Sequence, residues 1–314
     1  MNEEEMIAKI RRRFERVPRG VLGVGDDAAV LPLSGPLITS VDAALESVHF
    51  KREFAPLEIL AARALEAAAS DLAAMGAKFR AALLSFELPE AITSAELDAI
   101  LSGFGEAAER HGAYIIGGNL ARGERLAFHT TVLGEAGGAP LLRHALSEGD
   151  ALYLSGPSGA ASLGLRLLLE GRRGDALGLV DAFLRPRARF DIGDAIAGSA
   201  AAAIDVSDGL LLDLERMLGG TARGGARLGA SIETSALPAH PEERSLGLSD
   251  GQLLEARLSG GESYELLIAG KPSKLDGVAG LTRIGTVRGE AGVELLGEMS
   301  ERIDYQGPEG HLHF

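Results

Sequence analysis

Six aspartates constrain this chain more than anything else in it. Asp26 and Asp27 lie in GVGDDAAV, Asp42 in ITSVDAALESVHF, Asp71 in ASDLAAMGA, and Asp205 and Asp208 in AIDVSDGLL. Surface carboxylates usually sit among Lys, Arg and polar residues. These stand at the edges of apolar stretches, surrounded by Gly, Ala and Ser, and they are far apart in sequence. A fold that uses them together must assemble a site from several loops. Gathered carboxylates repel one another, so such a site needs cations, and hard oxygen donors suit Mg²⁺. Mg²⁺ held by carboxylates keeps waters and phosphate oxygens in its octahedron. The pattern therefore points to Mg-assisted phosphate chemistry.

The segments carrying these aspartates alternate in type. Residues 3–14 form a short helix in this reading. LGVGDDAAVLPL and LITSVDAAL are strands with turns. A long Ala/Leu helix follows Pro56 and runs to about Met75, where Gly76 stops it. RAALLSFELP is a strand. The next helix has Thr93 or Ser94 as N-cap, Glu96 in its first turn and Gly112 past its end. AYIIGG and LAFHTTVLGEA are strands. Residues 134–150, rich in Gly and Pro, form the junction between two domains, 1–137 and 145–314. Beyond it come strand ALYLSG, helices near 158–170 and 187–197, strand AAAIDV, a helix capped by Ser207 or Asp208, and strands SYELLIA and LTRIGTV. Alternating strands and helices in both halves give an α/β (α+β) class.

Composition narrows the partners. The chain has 314 residues, enough for two domains. Its formal net charge of −14 repels nucleic acid and anionic membrane, which are bound through clustered Lys and Arg. A phosphate substrate would need local help from metal ions. With no Cys, disulfides, thiolate metal sites and Cys nucleophiles are excluded. Only 4% of residues are aromatic, so the expected core is Ala, Leu, Val and Ile. MNEEEMIAKIRRRF is charged throughout, which is not the pattern of a signal peptide. No apolar run reaches the roughly 18 residues of a membrane span. A cytoplasmic enzyme that binds neither nucleic acid nor membrane is expected.

Each motif also has an ordinary structural reading. GVGDDAAVL is equally a turn between strands. His49, after Asp42, is either a phosphate contact or part of the loop's own structure. Asp71 sits near a helix C-terminus, the wrong end for an anion, which favours a functional role. Gly117-Gly118 lets backbone N–H groups approach a phosphate, or makes a hairpin turn. Ser207 and Asp208 face a phosphate at a helix start, or merely cap that helix. Gly260-Gly261-Glu262-Ser263 is a further turn before a strand. Walker, dinucleotide, HExxH and GxSxG motifs are all missing. Phosphoryl transfer without a P-loop leans on metal ions.

Taken in order, these motifs resemble the thiamine-monophosphate kinase family of the aminoimidazole-ribonucleotide synthetase and selenophosphate synthetase superfamily. The strings are GDDAAVL (25–31), Asp42 with VHF (48–50), SDLAAMGA (70–77), IIGGN (115–119), Arg143 ahead of ALSEGD (145–150), DVSDGL (205–210), GGESYELL (260–267) and the terminal HF. The resemblance implies ATP- and Mg²⁺-dependent phosphorylation of thiamine monophosphate to the diphosphate. It implies a two-domain α/β fold and a homodimer formed by N-terminal sheets. Several metal ions would be held by Asp26, Ser40, the Val41 backbone, Asp42, Asp71, Asn119, Asp205 and Asp208. Of these, Asp42, Asp71 and Asp205 would be catalytic. ATP would meet Gly118, Asn119, Arg143 and Ser207. His49, Ser263, His311 and the C-terminal segment would contact thiamine monophosphate.

This chain departs from the family pattern at four places. Asn119 stands where the family has Asp, Ser40-Val41 where it often has Thr-Thr, Ser263 where it has Asp, and His311 where an aromatic residue usually stacks. The second and fourth changes keep a backbone ligand and a stackable ring. Asn119 keeps an oxygen but loses a charge. The alternatives are a sister ATP-dependent enzyme of the same superfamily and a non-catalytic Mg-nucleotide-binding paralogue. A phosphate acceptor is already mostly dianionic at neutral pH, its second pKa being about 6, so no general base is required.

Overall fold

The computed structural model describes residues 1–219 and 227–311, and the expected C-terminal pair His313-Phe314 lies outside them. The chain divides into two compact units. One comprises Met1–Leu72 and Ala77–Gly137, the other Ala73–Gly76 and Gly138–Phe314.

The first unit opens with α1 (Glu3–Arg13). Asn2 caps it in a reciprocal box with Glu5, and acids in its first turn and arginines in its last complement the helix dipole. Then follow β1 (Leu37–Leu45), α2 (Leu57–Ala74), β2 (Ala77–Leu88), α3 (Ser94–Arg110), β3 (Tyr114–Arg122) and β4 (Ala127–Ala136). Thr93 and Glu96 form the capping box that starts α3. The sheet order is β1-β4-β2-β3. β2 and β3 run parallel, joined through α3, while the other pairs are antiparallel.

Three expectations change here. Residues 20–33 are not strands. An isolated bridge between Leu22 and Val30 closes a loop with Asp26 and Asp27 inside it, and a second joins Val24 to Asp26. Gly117-Gly118 is not a hairpin turn, because β3 continues to Arg122. Its ladder with β2 carries an irregularity just before, at Ala82/Leu83. A Cβ at Gly118 would come within 1.8 Å of the Leu84 carbonyl oxygen, so only glycine allows that approach. Finally, the core of this unit is not purely aliphatic. Phe50, Phe86, Phe104 and Phe128 form one cluster, with Phe104 and Phe128 edge to face at 5.2 Å and Phe50 stacked on Phe128 at 5.6 Å. The few aromatic residues are concentrated where they stack.

The second unit contains β5 (Ala151–Leu154), α4 (Ala160–Leu169), α5 (Leu177–Leu184), α6 (Phe190–Ile196), β6 (Ala202–Val206), α7 (Leu210–Leu218), β7 (Gly229–Glu233), α8 (Asp250–Ser259), β8 (Glu265–Gly270), α9 (Pro272–Leu275), β9 (Thr282–Arg288), β10 (Gly292–Leu296) and β11 (Arg302–Ile303). They build a sheet of order β11-β10-β7-β9-β5-β8-β6. One apolar cluster joins the sheet to Leu210, Leu211, Leu214 and Met217 of α7. Another joins it to Ile192 and Ile196 of α6. β5 and β6 both run antiparallel to β8. Their carboxyl ends therefore lie at one edge of the sheet, on either side of the start of β8.

Candidate active site

The acidic motifs fall in two places, one in each unit. In the first unit, alternation along β1 puts Ser40 and Asp42 on one face of the sheet and Val41 on the other. Helix α2 covers the Ser40 face, for the Ser40 hydroxyl donates to Asp71 Oδ2 at 2.5 Å. Asp71 stays near the last turn of α2 by that bond, at the helix end where an anion is least welcome. Asp42 Oδ1 accepts from the Ala43 amide at 2.7 Å. Asp26 Oδ1 accepts from the Asp27 amide at 2.8 Å in its exposed loop. Val41 is 67% exposed on the opposite face.

Register separates Asn119 from this group. Asp42 lies across from Thr130, which lies across from Leu84 and then Gly118. Asn119 belongs to the next row, with Ser85, His129 and Ala43, and its amide reaches the Ser85 hydroxyl at 3.5 Å. Successive rows face opposite sides. The structure therefore does not bring Asn119 to Asp42 and Asp71, although Gly118 does share the Asp42 row.

His49 closes the turn after β1. Its Nδ1 accepts from the Leu45 amide at 3.1 Å, which puts the neutral ring's proton on Nε2. Ser47 in the same turn has φ +69°, a left-handed conformation that costs a serine. Phe50, stacked on Phe128, anchors the far side. This turn is strained and held, as functional loops often are.

In the second unit, β6 delivers Asp205, 8% exposed, to the end of the strand. Ser207, Asp208 and Gly209 then lead into α7. Neither Ser207 nor Asp208 caps the helix by its side chain, because Gly209 occupies the N-cap. Asp213, from inside α7, accepts from the amides of both Ser207 and Asp208 at 3.0 Å. Arg216 binds Asp213 at 2.6 Å and Asp208 at 2.5 Å. Burial pushes the Asp213 carboxyl up from its ordinary value, while the Asp208 amide and Arg216 pull it down. Asp213 escapes sequence reading because it sits in an amphipathic helix pattern like any solvated acid.

The GGESY turn packs against this strand end. The amide of Glu262 donates to the Ser207 carbonyl at 2.7 Å, and that of Tyr264 to Val206. The Ser263 hydroxyl also donates to the Val206 carbonyl, at 3.0 Å. Glu262 and Tyr264 have φ of +67° and +52°, and the Tyr264 hydroxyl donates to Glu262 at 2.9 Å. The C-terminal segment returns to the same point, where the His311 amide donates to the Asp208 carbonyl at 2.8 Å. Ser207, Asp208, Ser263 and His311, distant in sequence, are thus adjacent. Arg143 lies exposed in the segment before β5 and is not part of this network.

Among the described residues, no group of three or more His, Cys, Asp or Glu side chains is arranged to hold a metal ion. The donors in the first unit nevertheless suit a hard cation. Ser40, Asp42 and Asp71 offer only oxygen, and the buried Thr130 hydroxyl on the same face has no hydrogen-bond partner. No helix among the described residues is long and apolar enough to cross a membrane.

Residues 25–136 match the family described as AIR synthase related protein, N-terminal domain. A thiamine-monophosphate kinase of Rhodopirellula baltica is 30% identical over 99% of this chain and 97% of its own. The crystal structure of thiamine-monophosphate kinase from Stenotrophomonas maltophilia K279a superimposes with a TM-score of 0.83 at 31% identity, covering 94% of this chain and 96% of that one. AaThiL complexed with AMPPCP and TMP gives 0.80 at 27% identity, covering 100% and 99%. The chain is thus an α/β protein whose residues 25–136 match an AIR synthase-related N-terminal domain. Within that class, the chain belongs to the thiamine-monophosphate kinase family.

Proposed function

We propose that the protein transfers the γ-phosphoryl group of ATP to thiamine monophosphate, forming thiamine diphosphate and ADP. The observation that carries this reading is similarity along the whole chain, to named kinases and to AaThiL complexed with AMPPCP and TMP. The residues support it. The acceptor is a phosphate oxygen, already mostly dianionic at neutral pH, which needs no base.

The main obstacle is electrostatic, since two polyanions must meet on a protein of net charge −14. In this reading Ser40, Asp42 and Asp71, with Asp26 from its loop and the Val41 backbone, hold Mg²⁺ in the first unit, and Asp205 and Asp208 hold Mg²⁺ in the second. When bound, Mg²⁺ neutralises phosphate charge and stabilises the in-line transition state. Ser207, in the turn before α7, contacts an ATP phosphate in this reading. Ser263 and His311, gathered beside Asp208, and in the other unit His49, are read as residues that contact thiamine monophosphate.

The same reading includes a homodimer in the cytoplasm. β1 is an edge strand, and Leu37 and Val41 are 52% and 67% exposed on the face away from α2. A second copy covering that face removes an unpaired edge and an apolar patch. Light scattering at micromolar concentration should give twice 32.6 kDa. The catalytic reading is tested by incubating the protein with Mg-ATP and thiamine monophosphate and following thiamine diphosphate and ADP together. ATP binding without either product would replace it with a non-catalytic nucleotide-binding role.

A further inference from the structure

Thr130 is the residue in the first unit whose chemistry is unaccounted for. It lies mid-strand in β4, 1% exposed, and its hydroxyl is buried with no hydrogen-bond partner. On the same face of β4, two residues either way, stand Phe128 and Val132, both fully buried. Across on β2 stands Leu84, 4% exposed. Across on β1 stands Asp42, in direct register. Directly paired residues of an antiparallel ladder project from the same face with Cβ atoms about 5 Å apart. Asp42 is thus the one polar side chain beside the hydroxyl in its row or along its strand, and Ser40 and Asp71 mark the same face.

A buried hydroxyl with nothing to bond is costly, and valine has nearly the same shape without that cost. Retaining threonine here makes sense if the hydroxyl finds a partner in another state of the site. We propose that Thr130 is a positioning residue for Asp42, its hydroxyl donating to the Asp42 carboxylate when that carboxylate binds a divalent cation. The proposal rests on the reading of Asp42 as a cation ligand. The Asp42 carboxylate accepts from its own neighbour, the Ala43 amide. The bond from Thr130 would orient the carboxylate for the cation, as outer partners do at carboxylate metal sites.

The test uses the full-length protein and Mn²⁺ as probe, in the presence of a non-hydrolysable ATP analogue. Mn²⁺ affinity is read by titration with electron paramagnetic resonance, and the melting temperature is read without metal or nucleotide. Thr130→Val should weaken Mn²⁺ binding by about tenfold, equivalent to about 1.4 kcal/mol, while the metal-free melting temperature stays the same or rises. Thr130→Ser should bind within about twofold of wild type, because the hydroxyl is kept. In an Asp42→Asn background, Thr130→Val should change nothing further. Wild-type Mn²⁺ affinity in Thr130→Val overturns the proposal while leaving the reading of Asp42 intact. Wild-type affinity in Asp42→Asn alone overturns that reading too. Should Thr130→Val fail to fold, Thr130→Ser is compared with Thr130→Ala. Tighter binding by the serine variant supports the proposal, and equal binding refutes it.

Discussion

The two acidic regions are built on opposite principles. In the first unit, Asp71 is held by a hydroxyl, Asp26 and Asp42 accept from backbone amides, and a neighbouring hydroxyl is left unbonded. In the second, Asp208 and the buried Asp213 share Arg216, and Asp213 also ties down two amides of the strand-to-helix turn. One region holds its oxygen donors through single hydroxyl and backbone contacts. The other neutralises part of its own charge and fixes a backbone turn. In the second region Asp213 holds the turn that carries Asp208.

The strongest way to break this comparison is to neutralise one aspartate in each region. Asp71→Asn and Asp205→Asn should each lower kcat by two orders of magnitude or more, roughly the loss seen when a single preorganised charge-stabilising group is removed. Circular dichroism should stay unchanged. Near-wild-type kcat in both variants would remove these residues from the site.

Stability should then separate the regions. Asp213→Ala should cost about 2–4 kcal/mol, because two partly buried amides lose their acceptor and Arg216 loses a partner. Arg216 is 38% exposed, so solvent screening keeps its own share small and the amides dominate. Asp213→Asn, which keeps an acceptor oxygen, should cost less. Asp71→Asn should shift stability by no more than about 1 kcal/mol, since its one hydrogen bond is partly exposed. Urea unfolding of the three variants checks this. Equal losses at positions 71 and 213 would end the distinction.

A third measurement concerns the turn after β1. His49→Ala should raise KM for thiamine monophosphate by about tenfold, the equivalent of one charge-assisted hydrogen bond, and move KM for ATP little. Because Nδ1 also holds the Leu45 amide, His49→Asn is the useful control. If both KM values rise together in His49→Ala and recover together in His49→Asn, the ring serves the turn alone.

The smallest effect is expected at Asn119. By family pattern, Asn119→Asp should tighten Mg²⁺ binding. The register instead sends this side chain to the face with Ser85 and His129. Asn119→Asp should therefore leave the Mg²⁺ dependence of the rate within about twofold, far below what a new charged ligand would add. A clear gain would mean that β3 rearranges when ligand binds.

Much of this molecule can be read from the chain alone. Helices α1, α2, α3 and α7 announce themselves by 3.6-residue patterning, by Gly76 and Gly112 at helix ends, and by the Thr93–Glu96 box. These are local interactions, encoded within a few residues of where they act. The strands β1, β2, β4, β6 and β8 are legible for the same reason, as apolar runs between turn residues. The acidic strand ends and their phosphate chemistry follow from residue type in local context. What needed tertiary structure is everything that depends on partners distant in sequence. No local signal says that Asp213 reaches back to the amides of Ser207 and Asp208, because its helix pattern is that of a surface acid. Nor can sequence place Asn119 and Asp42 on opposite faces. That follows from the register of four strands and the irregularity before Gly118, and one residue of slip would reverse it. Likewise the meeting of Ser263 and His311 beside Asp208 depends on β5 and β6 running parallel about β8, a topology set by long-range burial and ladder pairing.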